Sequence, residues 1–303
     1  MESFAGDRLP SPLVAGIFRA RRPTGPVLGL VVAMVCLLVG PLPMTVALVL
    51  ASGIWPSRLV DANYPIGEQM VVMLAFGGAA VLLAAWVLLK ERRPLGSLGF
   101  FPAVHIGRNL GAGALVAVVL LAVPVGAGLL GGWYTTGLTA GLPLIAVAVA
   151  LTGFVVQACT EEVITRGYLM QVAFRKWGLV AAVAFQAAVF ALLHGVNFDV
   201  GLLALINILL VGLLLGIWAL AEGSLWGVCA FHVVWNWCQG NIAGIQVSGM
   251  NLEATLLTTE PAPGAASSLT GAGFGIEGSV LTTVALLIAI AIAALVLRKR
   301  LAQ

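Results

Sequence analysis

The stretch QACTEEVITRGYL, residues 157–169, places two carboxylates and a guanidinium within six residues, and the chain on either side is almost unbroken hydrocarbon. Taken as a helix, Glu162 and Arg166 are four residues apart with the acid first, the favourable order for an intrahelical ion pair. Glu161 points about 100° away and has no basic partner on its own helix. One carboxylate is therefore held by a guanidinium, and the other is left to face a different element. The chain has three histidines, and two of them, His194 in FALLHGVN and His232 in FHVVWN, lie in apolar runs. His232 and Asn236 are four apart and share a helix face. Carboxylates and imidazoles are common general acids and bases. Within a membrane they also form proton relays.

The elements that carry these groups belong to a membrane protein. Of the 303 residues, 61% are hydrophobic and only 9% are charged, against about a quarter charged in soluble proteins. The net charge of +3 gives no sign of a nucleic-acid partner. Membrane lipid is the surrounding partner, and the composition says nothing of oligomeric state. The excess of Arg over Lys, with abundant Ala, Val, Gly and Leu, hints at a GC-rich bacterial source. Cys36, Cys159, Cys229 and Cys238 lie in apolar runs with no CxxC pair, so they read as small buried hydrophobes rather than a disulfide framework or zinc cluster.

A spanning helix needs about 20 mostly apolar residues. About eight segments qualify or nearly do: 27–54, 69–90, 109–131, 142–174, 178–196, 201–220, 224–240 and 278–297. The first is interrupted by GPLP, which predicts a kink. The expected fold is all-α, a polytopic transmembrane helical bundle. Residues 1–26 form a polar tail, 27–298 the transmembrane domain with a core at 142–240, and 299–303 a short second tail. With the N-terminus inside, Arg8, Arg19, Arg21, Arg22, Lys90, Arg92, Arg93, Arg108, Arg175, Lys176, Arg298, Lys299 and Arg300 are cytoplasmic. Arg58 falls outside and Arg166 within a span. This satisfies the positive-inside rule and places both termini in the cytoplasm of a cell whose inner, or plasma, membrane holds the protein. The loop at 241–277, acidic and rich in Gly, Ser and Pro, reads as outer and flexible.

Hairpin register then brings the polar groups to matching heights. The helices at 142–174 and 178–196 turn back near Trp177 and Gly178, so Glu161 and His194 both lie about 24 Å from that turn. The next hairpin turns near Glu222 and Gly223, putting His232 about 14 Å and Asn236 about 20 Å above it. Ionisable groups inside a bilayer cost a few kcal/mol each and mark functional sites by default. Phe190 shares a face with His194 and either walls the cavity or serves helix packing. Asn197 and Asp199 read as caps or loop polars, and His105 as a surface or interface histidine outside the site.

EEVITR, FALLH and HVVWN match the patterns EExxxR, FxxxH and HxxxN in that order. They resemble the CAAX-prenyl-protease and bacteriocin-processing membrane family, over about residues 142–240. The resemblance implies an intramembrane endopeptidase acting on a peptide or membrane-protein substrate. By the same resemblance, Glu161 activates water with help from His194. Glu162 and Arg166 support them as an ion pair, and His232 and Asn236 stabilise the oxyanion. The residues suit those tasks, since peptide hydrolysis needs a base for water and donors for the tetrahedral oxyanion.

Two histidines and a glutamate, here Glu161, His194 and His232, could also hold a divalent metal such as zinc. HExxH is absent, and a third firm ligand is lacking unless Glu162 leaves Arg166. A metal-free glutamate mechanism with no cofactor is favoured, and a metal-dependent one is the alternative. No GxSxG serine motif occurs, Asp7, Asp61 and Asp199 form no membrane aspartate pair, and no Walker loop is present. The competing functions are a proton-coupled transporter, disfavoured by the lack of related halves, and a catalytically idle immunity or scaffold relative.

Overall fold

Long apolar runs become helices here because a backbone in hydrocarbon must satisfy its own N–H and C=O groups. The structure, a computed structural model, describes residues 11–55, 63–101 and 103–302. Asp7, Arg8, Arg58 and Asp61, used above to assign tail and loops, lie outside the described residues. In chain order the helices are α1 (Pro12–Ala15), α2 (Pro26–Val39), α3 (Pro41–Ser52), α4 (Ile66–Ala85), α5 (Ile106–Leu130) and α6 (Leu144–Glu162). They continue with α7 (Met170–Leu193), α8 (Leu202–Glu222), α9 (Trp226–Trp237), α10 (Ser267–Thr270) and α11 (Val280–Leu301).

Among the described residues, six helical stretches are long and apolar enough to cross a membrane: Pro26–Ser52, Ile66–Glu91, Ile106–Leu130, Leu144–Val196, Leu202–Glu222 and Val280–Leu301. The molecule is thus a multi-pass all-α bundle. Two local features separate this count from the eight segments expected. Leu144–Val196 is one run of 53 residues, yet Gly178 inside it has φ 79° and ψ −178°, so the chain reverses there. The segment around α9 is helical but only 12 residues long, followed by a wider turn at Cys238–Ile242. The kink expected at GPLP falls between α2 and α3, where Pro41 opens the second helix.

One end of the bundle gathers the basic segments. There Arg93 is only 2% exposed, bonded to Glu91 at 2.7 Å and to Gln171 at 2.6 Å. The sequence placed Arg93 among cytoplasmic loop charges. The structure buries it, with Glu91 and Gln171 bonding two of its three guanidinium nitrogens. At the same end Leu225 N–H donates to Gly99 O at 2.9 Å, and Arg300 reaches Ala221 O.

The opposite end carries short strands. β1 (Asn63–Tyr64) pairs in parallel with β3 (Asn251–Leu252), and β2 (Tyr134–Leu138) pairs antiparallel with β4 (Leu257–Pro261), in the register Tyr134 to Pro261. The loop read as flexible from its composition is therefore tied down along its length. Asn241 Nδ2 donates to Ala254 O at 2.7 Å, and Tyr134 Oη bonds Thr270 O. Backbone pairing and buried side chains hold a segment whose Gly and Pro content alone suggests freedom.

Inside the bundle, α6 packs against α4 and α9, α7 against α8, and α5 against α9 and α11. Close approach of α5 and α9 depends on a missing side chain, for a Cβ on Gly113 would stand 2.1 Å from Gly227 O. Small residues permit such contacts between membrane helices.

Candidate active site

The α6 helix passes into a wide turn, Val163–Leu169, immediately after the paired glutamates. Such π-type turns occur mostly as single insertions, frequently at functional sites. Thr165 Oγ1 caps it by donating to Glu161 O at 2.6 Å. The ion pair expected from four-residue spacing survives the widening: Arg166 Nη1 donates to Glu162 Oε1 at 2.9 Å. Both side chains are fully buried. The Arg166 guanidinium also lies 4.4 Å from the centroid of the Phe190 ring, a cation–π contact. Phe190 thus both walls the cavity and braces the ion pair.

Glu162 has a second partner that the spacing does not reveal. His232 Nδ1 lies 2.9 Å from Glu162 Oε1. An ionised carboxylate only accepts, so Nδ1 carries the hydrogen and the other ring nitrogen, Nε2, faces away. It faces Glu161, whose Oε2 is 3.9 Å distant. Glu161 Oε1 accepts from Gln157 Nε2 at 2.6 Å, while Oε2 is buried with no hydrogen-bond partner among the described residues. Gln157 Oε1 in turn takes a long bond of 3.4 Å from Asn236 Nδ2. Gln157 was not singled out from the sequence, although it is four residues before Glu161 and so shares its helix face.

His194 closes the α7 helix, and its Nδ1 lies 2.8 Å from Phe190 O. A carbonyl cannot donate, so Nδ1–H is the donor and Nε2 is the nitrogen not used in this bond. Glu161, His194, His232 and Asn236 line one cavity of about 290 Å³. Glu161 and His194 share it without direct contact, and the imidazole nearest Glu161 belongs to His232 instead. The hairpin register gave equal height but not the angle between helices, and α9 stands beside α6. Asn197, read as a cap, lines the cavity and donates from Nδ2 to Ser248 O at 3.1 Å. His105 is exposed at the start of α5, away from these groups.

The metal alternative asked Glu161, His194 and His232 to act as ligands. Among the described residues no three His, Cys, Asp or Glu side chains are grouped closely enough to hold a metal ion. Glu162, the further candidate, is engaged by Arg166 and His232.

One residue of the cavity wall comes from the far end of the chain. Glu277, 7% exposed, accepts at Oε2 from Ser248 N at 2.7 Å and Ser248 Oγ at 2.9 Å, and at Oε1 from Trp235 Nε1 at 3.3 Å. Nothing in its local sequence distinguishes it from the acidic loop around it.

The fold and the site define a multi-pass membrane protein with an acid–base cavity among its helices. Residues 143–238 match the family described as Rce1-like, type II CAAX prenyl endopeptidase. Over that segment, about a third of the chain, it is similar to this endopeptidase family. Glu161, Glu162, Arg166, His194, His232 and Asn236 all fall within the matched residues, and Glu277 falls outside them. No curated protein and no solved structure matches the chain.

Proposed function

We propose that this protein is an intramembrane endopeptidase that hydrolyses a peptide bond in a membrane-associated or lipidated peptide or protein, using water activated by glutamate and histidine. The observation that carries the reading is Glu161 Oε2, buried without a hydrogen-bond partner, 3.9 Å from His232 Nε2 inside a cavity that also holds His194. The scissile carbonyl and its attacking water enter the cavity that these side chains line. Glu161 takes a proton as the water oxygen bonds to the carbonyl carbon. His194 Nε2, not used in the Phe190 bond, helps orient that water and carry its proton. Negative charge builds on the carbonyl oxygen, which His232 Nε2–H and Asn236 Nδ2–H meet as donors. Glu162 stabilises the positive charge that His232 needs to donate from both nitrogens. The proton then passes to the amide nitrogen as the C–N bond breaks. Preorganised donors in a site screened from water give the largest single contribution in such reactions.

The substrate class follows from the remaining walls. Leu37, Leu38, Val72 and Phe76, from α2 and α4, line the same cavity. They suit an apolar flank or a lipid group entering from the bilayer, in an inner membrane with the basic end of the bundle in the cytoplasm. In proteoliposomes the wild type should cleave a prenylated CAAX peptide or a membrane peptide that accumulates in cells carrying Glu161→Gln. Glu161→Gln and His194→Ala should each lower kcat by about 10²–10⁴-fold, the range for loss of a general acid or base, with unchanged melting in detergent. Full cleavage by either variant would reject the assignment. Proton-coupled uptake without peptidase activity in the wild type would favour the transporter reading.

A further inference from the structure

We infer that Glu277 is a positioning residue of this site, holding His194 and the 243–279 segment over the cavity from outside the family segment. The inference rests on the endopeptidase reading above and adds a residue to it. Glu277 sits on a single turn, Ile276–Gly278, just before α11. Its backbone is fixed from two helices, for Asn207 Nδ2 on α8 donates to Glu277 O at 2.7 Å, and Thr282 Oγ1 on α11 donates to Ile276 O at 2.7 Å. The side chain is therefore delivered to the cavity by rigid elements rather than by a free loop.

Its three donors are distributed in an informative way. Trp235, which donates to Oε1, is the residue before Asn236 on α9. Ser248, which donates twice to Oε2, accepts through its own carbonyl from Asn197, three residues after His194. One carboxylate thus ties together the ends of the two helices that carry the histidines. The bond to Trp235 at 3.3 Å is long, so Oε1 keeps capacity toward the cavity.

His194 is the one group among the electrostatic partners of Glu277 able to become a cation. The other ionisable groups around the cavity are Glu161 on α6 and His232 on α9. Asp199 follows His194 and lies against Gly273. From α8 and α11 the nearby polar groups are the neutral Asn207 and Thr282. Glu277 adds a second carboxylate, beside Glu161, to the groups around this cavity. A purely architectural clamp would need only the hydrogen bonds.

Burial pushes the Glu277 carboxyl up from its ordinary value, against the opposing pull of Ser248, His194 and Trp235. A carboxyl raised in the folded state gives stability that is full at acid pH and is lost as pH rises through its folded value. Wherever that carboxyl is ionised, the folded protein carries the cost of the charge, as functional sites often do. Glu277→Gln removes the charge, keeps the Ser248 bonds and sacrifices the long Trp235 bond.

The test is Glu277→Gln in the full-length protein, read by cleavage in proteoliposomes, by melting in detergent and by ¹⁵N-histidine NMR at fixed pH. We expect kcat to fall about 10–100-fold, the scale for loss of an outer-sphere partner, with KM changed less than about twofold. Glu277→Asp should recover part of kcat. The melting temperature at neutral pH should be equal to or higher than that of the wild type, and the difference should shrink toward acid pH. The His194 ring signals should move while those of His105 stay in place. Melting that falls together with kcat, or His194 signals that do not move, would overturn the inference and leave Glu277 a structural clamp. Since the NMR and melting readouts need no substrate, a wild type that cleaves nothing would refute the endopeptidase reading while still testing the link from Glu277 to His194.

Discussion

At the scale of single residues, the site separates charge that is neutralised from charge that is available. Glu162 Oε1 is shared by Arg166 and His232, each at 2.9 Å, whereas Glu161 has no guanidinium bonded to it among the described residues and is held by Gln157 alone. Breaking one member of a buried pair costs about 3–5 kcal/mol, because the other charge is left uncompensated. Arg166→Leu should therefore unfold at markedly lower temperature in detergent. Adding Glu162→Gln should restore much of that loss, since the orphaned charge is removed. The double variant should nevertheless remain inactive, because His232 then lacks the carboxylate that supports its positive form. Recovery of cleavage along with stability would show that Glu162 matters to the ion pair alone. The Glu162–Arg166 contact was legible from spacing, since two residues four apart on a helix meet wherever that helix goes. The contact between Glu162 and His232 was not, because they lie 70 residues apart. Such a pairing depends on which helices are neighbours, and periodicity along the chain carries no information on that.

At the scale of elements, α9 is the rod that sets the positions of His232 and Asn236, and its seat against α5 is made by absent side chains. A Cβ at Gly113 would meet Gly227 O at 2.1 Å and Ala230 Cβ at 3.0 Å, so Gly113→Ala must push the helices apart. Overpacking of this kind costs about 1–3 kcal/mol. We expect a lower melting temperature and slower cleavage, since displacement of α9 stretches the bond from His232 to Glu162. Gly111→Ala is the internal control, because its Cβ would meet nothing within 4 Å. It should be neutral or slightly stabilising, as Ala is favoured over Gly in a helix by roughly 0.5–1 kcal/mol. Equal melting of the two variants would exclude the tight crossing. Helix positions were largely readable, because about 20 apolar residues can do little else in a bilayer. The reversal near Trp177 and Gly178 and the helix end at Gly223, with φ 80°, fall where the glycines suggested. The four short strands were hidden, since two to five residues in a loop give no hydrophobic alternation to detect.

At the scale of the whole molecule, the two ends of the bundle differ in kind, and that difference predicts how it sits in the membrane. Exposed Lys176 and Lys299 mark the end where α7 reverses at Gly178 and the last helix terminates. Thr135 and Ser268, also exposed, mark the end closed by β2, β4 and the 243–279 segment. Lysine and arginine resist translocation, so the basic end should face the cytoplasm. The closing segment then shields the cavity from the outer aqueous phase, and the apolar side chains of α2 and α4 leave a route from the lipid. In a variant whose four native cysteines are replaced by serine or alanine, single cysteines report on each end. A membrane-impermeant maleimide added to intact cells should label Thr135→Cys and Ser268→Cys. Lys176→Cys and Lys299→Cys should react only after the membrane is opened. Labelling of Lys176→Cys in intact cells would reverse the orientation. It would also place the sealed end of the cavity in the cytoplasm, where the shielding argument fails. Labelling of Lys176→Cys and Lys299→Cys from opposite sides would require an odd number of crossings between the reversal at Gly178 and Lys299, so that the rest of α7, α8, α9 and α11 could not all cross the membrane.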